Sequence, residues 1–241
     1  MKTAAVIPSR YGSSRFPGKP LAMIKGKPLI RRTIEQVKKC KEIDYIAVAT
    51  DDKRIYDFVK SLKVNVFMTP KTCESGTDRI AFVASKFLKS CGIFINVQGD
   101  EPLIDPGLID ELAKSLKKDK TVKYITAAFP VKDNDSINNP NVVKVVFDKN
   151  MRALYFSRFA IPFNRDGLKT KYYKHMGVYG YKRKFLLDFS KDKNSILEKA
   201  ESLEQLRALE NGRKIKIVVS KKDSLGVDTP KDIAKVEKYL R

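Results

Sequence analysis

Short apolar runs alternate with longer amphipathic stretches over the first half of the 241-residue chain, and the two periods assign its elements. Runs too short for helices and rich in β-branched residues read as buried strands at 4–7, 45–49, 64–68 and 93–97. Between them apolar positions recur at helical spacing over 28–39, 53–62 and 80–88, the first stretch opening on proline, whose fixed φ suits a first turn. A further helix is expected after Pro106. Strand and helix in alternation predict a doubly wound α/β sheet, largely parallel and covered on both faces.

From about Tyr124 the rhythm changes. Longer β-rich segments at 124–131, 142–148, 152–157 and 173–181 are separated by turn-rich Asn-Asn-Pro-Asn and Asn-Arg-Asp-Gly. This predicts a β-rich insertion at about 124–182 within a single domain spanning 1–241. The insertion would cover a substrate or pair two subunits. Helices at 196–200 and 203–210, a strand at 215–219 and a closing helix from Pro230 complete the pattern, without internal repeat or low-complexity tract.

In an open α/β sheet ligands gather beyond the carboxyl ends of the strands, near the point where strand order reverses. The loops after the first and fourth strands should therefore face each other. The first is Ser9-Arg10-Tyr11-Gly12-Ser13-Ser14-Arg15-Phe16-Pro17-Gly18-Lys19-Pro20, where glycines and small residues let backbone N–H groups approach an anion and Arg10, Arg15 and Lys19 bring cations. A nucleoside triphosphate suits it. The Walker A loop does not match, since five residues separate Gly12 from Gly18 and Pro20 follows Lys19.

The facing segment is Gln98-Gly99-Asp100-Glu101-Pro102. A carboxylate leaving a buried strand beside phosphates suits Mg²⁺, which takes one or two carboxylates along with nucleotide oxygens; the alternative is that Asp100 caps the turn into the helix after Pro106. Asp228 is a second metal candidate. Thr229, Pro230 and Asp232 already read as N-cap, first helical position and capping acid, which leaves Asp228 as a ligand or an ordinary loop acid. Ser75-Gly76-Thr77-Asp78-Arg79 either reads base edges or starts a helix. His175, the sole histidine, shares one strand face with Gly177 and Tyr179, where imidazole and phenol would meet a hydroxylated, acidic substrate or serve only the core. Glu204 and Gln205 lie off the leucine stripe of their helix, in solvent or in a pocket.

Composition narrows the classes. A net charge of +21 favours polyanions, yet the lysines are spread along the whole chain, so no nucleic-acid partner is expected. Cys40, Cys73 and Cys91 are an odd number without metal-site spacing, which argues against disulfides and structural zinc. No apolar run approaches a membrane span and the first residues read as a strand rather than a secretion leader, so a cytoplasmic protein without membrane partner is expected.

Taken in order, the motifs resemble those of the 3-deoxy-manno-octulosonate (KDO) cytidylyltransferases: Ile7-Pro8-Ser9-Arg10 through Gly18-Lys19-Pro20-Leu21, Ala49-Thr50-Asp51, Ser75 to Arg79, Asn96 to Pro102, Ala153 to Arg158, His175 to Tyr181, Leu203 to Arg207 and Gly226 to Pro230. Ser9 stands where many members carry alanine. The resemblance implies a mixed doubly wound α/β sheet of the nucleotide-diphospho-sugar transferase (glycosyltransferase-A-like) type, homodimeric, using CTP and Mg²⁺ to make CMP-KDO and pyrophosphate for lipopolysaccharide. It implies that Lys19, Asp100 and Asp228 are catalytic, the two acids holding Mg²⁺. Ser9, Arg10, Gly12, Ser13, Ser14, Arg15, Lys19, Ser75 and Arg79 would bind the nucleotide. Gln98, Arg158, His175, Tyr179, Glu204 and Gln205 would contact the sugar acid, with Arg158 as the two-pronged partner of its carboxylate.

Two neighbouring branches are weighed on residues. The one that activates 8-amino-KDO resembles this chain at 12–16 and 173–175, whereas 98–102 and 226–230 favour KDO. CMP-sialic acid synthetases usually carry Lys-Asn where Lys19-Pro20 stands. A nucleic-acid-binding protein would have no use for two acids at strand ends.

Overall fold

The computed structural model describes residues 1–12 and 16–240. In chain order the elements are β1 (Lys2–Ser9), β2 (Met23–Ile24), β3 (Lys27–Pro28), α1 (Leu29–Val37), β4 (Tyr45–Thr50), α2 (Lys53–Ser61), β5 (Asn65–Met68), α3 (Gly76–Lys86), β6 (Cys91–Val97) and α4 (Pro106–Lys118). They continue with β7 (Tyr124–Val131), α5 (Asn134–Asn138), β8 (Lys144–Phe147), β9 (Ala153–Ser157), β10 (Tyr172–Lys182), α6 (Arg183–Phe189), α7 (Ile196–Glu201), α8 (Glu204–Glu210), β11 (Lys216–Val219) and α9 (Pro230–Tyr239).

The central sheet runs β11-β7-β10-β6-β1-β4-β5. β1 pairs in parallel with β4 on one side and β6 on the other, so strand order reverses between β1 and β6. β1 is buried on both faces from Thr3 to Ser9. Ala5 and Ile7 pack with apolar residues of α1, α2 and α4, while Ala4 and Val6 pack with those of α3, α6 and α8. Each such branched side chain removed from water contributes about 1.5–3 kcal/mol, which makes a strand buried on both sides a rigid platform for the loop beyond it.

The stretch expected as an insertion supplies two central strands. β10 runs antiparallel between β6 and β7, and only β8 and β9 stand off the central path. An antiparallel neighbour needs no crossover helix, so the strand–helix rhythm breaks although the sheet continues. Of the two readings of 75–79, the structure shows a helix start. Ser75 and Asp78 form a reciprocal capping box that starts α3 at Gly76, four residues before its clear apolar spacing begins. The short helices α5 and α6 were not anticipated from the pattern. Among the described residues no helix is long and apolar enough to cross a membrane.

Candidate active site

Beyond the switch point lies a cavity of about 200 Å³ lined by Ser9, Arg10, Lys19, Gln98, Gly99, Asp100 and Asp228, with Pro8, Pro20 and Leu29. The loop leaving β1 closes on itself where the Gly18 N–H donates to the Tyr11 carbonyl at 2.9 Å. Gly18 has φ of 72°, and a Cβ there would meet the Tyr11 ring at 3.0 Å, so glycine serves both needs. A single 3-10 turn, Lys19–Leu21, then carries Lys19 into the cavity with Pro20 in its first turn. The facing loop passes so near that a Cβ on Gly99 would lie 3.1 Å from the Pro8 carbonyl.

Lys19 Nζ donates to Asp100 Oδ2 at 2.5 Å and stands 3.8 Å from Asp228 Oδ1. Neither acid is a helix cap: Asp105 precedes α4, and Thr229 with Asp232 starts α9. The Val227 N–H donates to the Asp100 carbonyl at 2.9 Å and fixes the second acid's loop beside the first. Two carboxylates thus converge on one cation. Among the described residues no group of three His, Cys, Asp or Glu side chains forms a metal cage. A carboxylate pair beside a phosphate-sized cavity is nevertheless the donor set that Mg²⁺ takes with nucleotides. Ser9 is buried and its hydroxyl has no partner among the described residues. Gly12 is exposed, and among the described residues nothing would meet a Cβ placed on it. Ser13, Ser14 and Arg15, expected to bind the nucleotide, lie outside the described residues.

Ser75 and Arg79 do not line this cavity. The Ser75 hydroxyl accepts the Asp78 N–H at 3.1 Å. Arg79, with its side chain only 4% exposed, donates to Thr69 Oγ1 and Asp51 Oδ2, both at 2.6 Å. A buried cation takes the carboxylate within reach, so the guanidinium expected beside the nucleotide here ties α3 to the end of β4.

A second cavity, of about 410 Å³, is lined by His175, Tyr179, Glu204 and Gln205 together with Glu101, Asn141, Lys174, Ser224 and Asp228. Asp228 lines both cavities and joins them. Gln98 belongs to the first, its Nε2 donating to Asn96 Oδ1 at 3.2 Å. Arg158 reaches neither. Its Nε donates to the Glu201 carbonyl at 2.7 Å and its Nη1 to the Pro140 carbonyl at 3.0 Å, while Lys144 Nζ holds the Arg158 carbonyl at 2.6 Å. Backbone carbonyls thus hold the guanidinium expected to grip a substrate carboxylate. The cation that does line this cavity is Lys174, paired with Asp223 at 2.5 Å.

Burial sets the electrostatics here. It pushes the His175 imidazole down to about 3 and the Tyr179 phenol well above its usual range, so the first is neutral and the second protonated at neutral pH. Burial also pushes the Glu101 carboxyl up to about 7, against a hydrogen bond from Ser224. Glu204 is raised by burial, against bonds from Thr77 and Arg207. Gln205 is buried, and its Nε2 has no partner among the described residues. A donor left so costs about 1–3 kcal/mol unless a ligand takes it. Sequence reasoning missed Glu101, Lys174 and Asn141. Glu101 sits in the polar run that follows β6 and was within reach; Lys174 and Asn141 become visible only once β8 is seen beside β10.

A family profile described as cytidylyltransferase matches residues 4–215. A 3-deoxy-manno-octulosonate cytidylyltransferase of Desulfosudis oleivorans is 50% identical to this chain, the match covering 100% of this chain and 98% of the relative. An 8-amino-3,8-dideoxy-manno-octulosonate cytidylyltransferase of Shewanella frigidimarina is 48% identical, with coverage of 100% and 99%. A solved CMP:2-keto-3-deoxy-manno-octonic acid synthetase complexed with CTP superposes with a TM-score of 0.94 at 39% identity, covering 100% of this chain and 98% of that one. A 4-diphosphocytidyl-2C-methyl-D-erythritol synthase of Anaerococcus prevotii, 18% identical with a TM-score of 0.67 over 99% of this chain and 96% of its own, shares the fold.

Proposed function

This chain belongs to the 3-deoxy-manno-octulosonate cytidylyltransferase family, and from its two joined cavities we propose that it transfers CMP from CTP to the anomeric hydroxyl of KDO. Pyrophosphate leaves, and CMP-KDO is supplied for lipopolysaccharide. The observation that carries the reading is Asp228, which lines both the cavity holding Lys19 and Asp100 and the cavity holding His175, Tyr179 and Gln205. A reaction between a triphosphate and a hydroxylated acid needs such a junction.

The triphosphate lies in the first cavity against Ser9, Arg10 and Lys19. The sugar lies in the second, its hydroxyl directed at the α-phosphorus across Asp228. The oxygen–phosphorus bond to the sugar forms as the bond to the pyrophosphate oxygen breaks and the hydroxyl gives its proton up to solvent, so catalysis is positioning and charge stabilisation without a covalent enzyme intermediate. Asp100 and Asp228 would hold Mg²⁺, which when bound neutralises phosphate charge. Lys19 turns from the two acids to the departing pyrophosphate. Gln205 Nε2 and the Tyr179 phenol donate to sugar oxygens, and Lys174 offers the carboxylate a cation. Dependence on CTP supports a cytoplasmic setting.

A second reading, the 8-amino analogue, is favoured by Glu101, an acid in the sugar cavity besides Glu204. Initial rates of pyrophosphate release from CTP with KDO and 8-amino-KDO separate the two. KDO should have the higher kcat/KM; a tenfold preference for the amino sugar, about 1.4 kcal/mol, would reverse the choice, and release with neither would remove the proposal.

A homodimer is proposed across the β9 face. Leu154, Phe159, Phe163 and Leu168 are 61%, 83%, 87% and 69% exposed, and β9 pairs only with β8 among the described strands. An apolar patch on an unpaired edge suits a second copy. Sedimentation should give a dimer that Phe163→Asp dissociates; a wild-type monomer would refute it.

A further inference from the structure

Where β10 passes β7, the pairing slips: Met176 opposes Ala127, but the next pair is Tyr179 with Thr126. Two extra residues of β10 are accommodated, an even number, so His175 and Tyr179 remain on one face and Met176 and Val178 on the other. The slip turns backbone carbonyls toward one side chain. Thr126 Oγ1 lies 2.7 Å from the Val178 carbonyl, 3.3 Å from the Met176 carbonyl and 3.0 Å from His175 Nε2. Thr126 itself is fully buried.

A hydroxyl has one proton to give, and a carbonyl only accepts. With Val178 O at 2.7 Å, the Thr126 proton belongs to that carbonyl; directed elsewhere, it would leave two oxygens facing each other without a hydrogen between them. The oxygen of Thr126 can then only accept from the imidazole. From this geometry we infer that Thr126 fixes His175 as the Nε2–H tautomer, so that a bare Nδ1 accepts a hydrogen bond from a hydroxyl of the sugar. Among the described residues no donor or acceptor bonds Nδ1, and the ring lines the second cavity.

The consequence is chemical selectivity. An acceptor nitrogen repels a carboxylate and welcomes a hydroxyl, so His175 meets the polyol part of the substrate while its carboxylate turns elsewhere. A sugar lacking that hydroxyl would leave the acceptor unpaired, a stronger basis for rejection than shape alone. Burial keeps the ring uncharged at neutral pH, which preserves the assignment. Thr126 touches no substrate and acts through the ring, as a positioning residue.

The assignment of a sugar to this cavity rests on the proposed function, whereas the tautomer does not, and the test separates them. The chain has a single histidine, so ¹⁵N-histidine labelling of the free enzyme gives one imidazole, and long-range ¹H–¹⁵N spectra identify its tautomer. The expected result is the Nε2–H pattern in the wild type and in Thr126→Ser, with a mixture of tautomers in Thr126→Val. In kinetics Thr126→Val should raise the KM for KDO about tenfold with the KM for CTP nearly unchanged, and Thr126→Ser should restore it. An Nδ1–H tautomer in the wild type overturns the proposal, whether or not the valine variant folds, and so does a valine variant with unaltered tautomer and unaltered KM. Inactivity toward KDO with the Nε2–H tautomer in place would leave the Thr126 contact standing and sink the functional reading.

Discussion

The two cavities share Asp228 but are built from opposite materials. The first is made of loops at strand ends, partly open, and its charges balance one another, Lys19 standing between Asp100 and Asp228. The second is made of β10 and α8, and burial drives its groups toward the uncharged form: His175 down, Tyr179 and Glu101 up. On the proposed function, a polyanion would be handled where charge can be rearranged. A polyol would be read where neutral donors and acceptors are fixed and left without partners among the described residues, as Gln205 Nε2 is.

The largest effect should come from breaking the charged side. Asp100→Asn or Asp228→Asn is expected to lower kcat by two orders of magnitude or more, about 2.7 kcal/mol in the barrier, with little change in thermal midpoint. A folded variant of either kind with near wild-type turnover would mean that the acids do not serve the phosphates. Lys19→Ala should follow, with a roughly tenfold to hundredfold loss in kcat and a smaller change in the KM for the sugar. If only the sugar KM moved, Lys19 would belong to the other cavity.

Gln205→Leu sharpens the contrast. It removes the orphan donor and keeps the volume, so the KM for KDO should rise about tenfold while that for CTP stays put; equal losses in both would make Gln205 structural. The stability profile is a smaller test. Between about 6.5, its ordinary value, and about 3, its folded one, His175 binds a proton only in the unfolded chain. Stability should therefore fall as pH drops through that window, by up to about 1.4 kcal/mol per pH unit for one proton. Urea titrations of wild type and His175→Asn should diverge in this sense, and parallel profiles would contradict the burial of a neutral ring. Arg158→Lys should change least: a loss of about 1 kcal/mol in stability from its backbone contacts, with both KM values preserved.

The charged cavity was the more legible in the sequence. Loop residues at strand ends announce themselves by type, because glycine, arginine and aspartate beside a buried run have few structural reasons to be there, and Lys19, Asp100 and Asp228 do meet. The doubly wound sheet was legible for the same reason, apolar runs marking strands. The partners of Arg79 and Arg158 were not legible because a cation's type does not say which oxygen reaches it first, and both bond groups distant in sequence, Asp51 and the Glu201 and Pro140 carbonyls. Thr126 carried no signal, since its role depends on a slip in strand register that no local pattern encodes.

The most direct measurement of the whole account follows the α-phosphate of CTP. With ³²P at that position, KDO and Mg²⁺, the label is predicted to appear in a sugar nucleotide while unlabelled pyrophosphate is released in equal amount, and only when the sugar is present. Label recovered in free CMP at the same rate without sugar, or left in CTP, would contradict it.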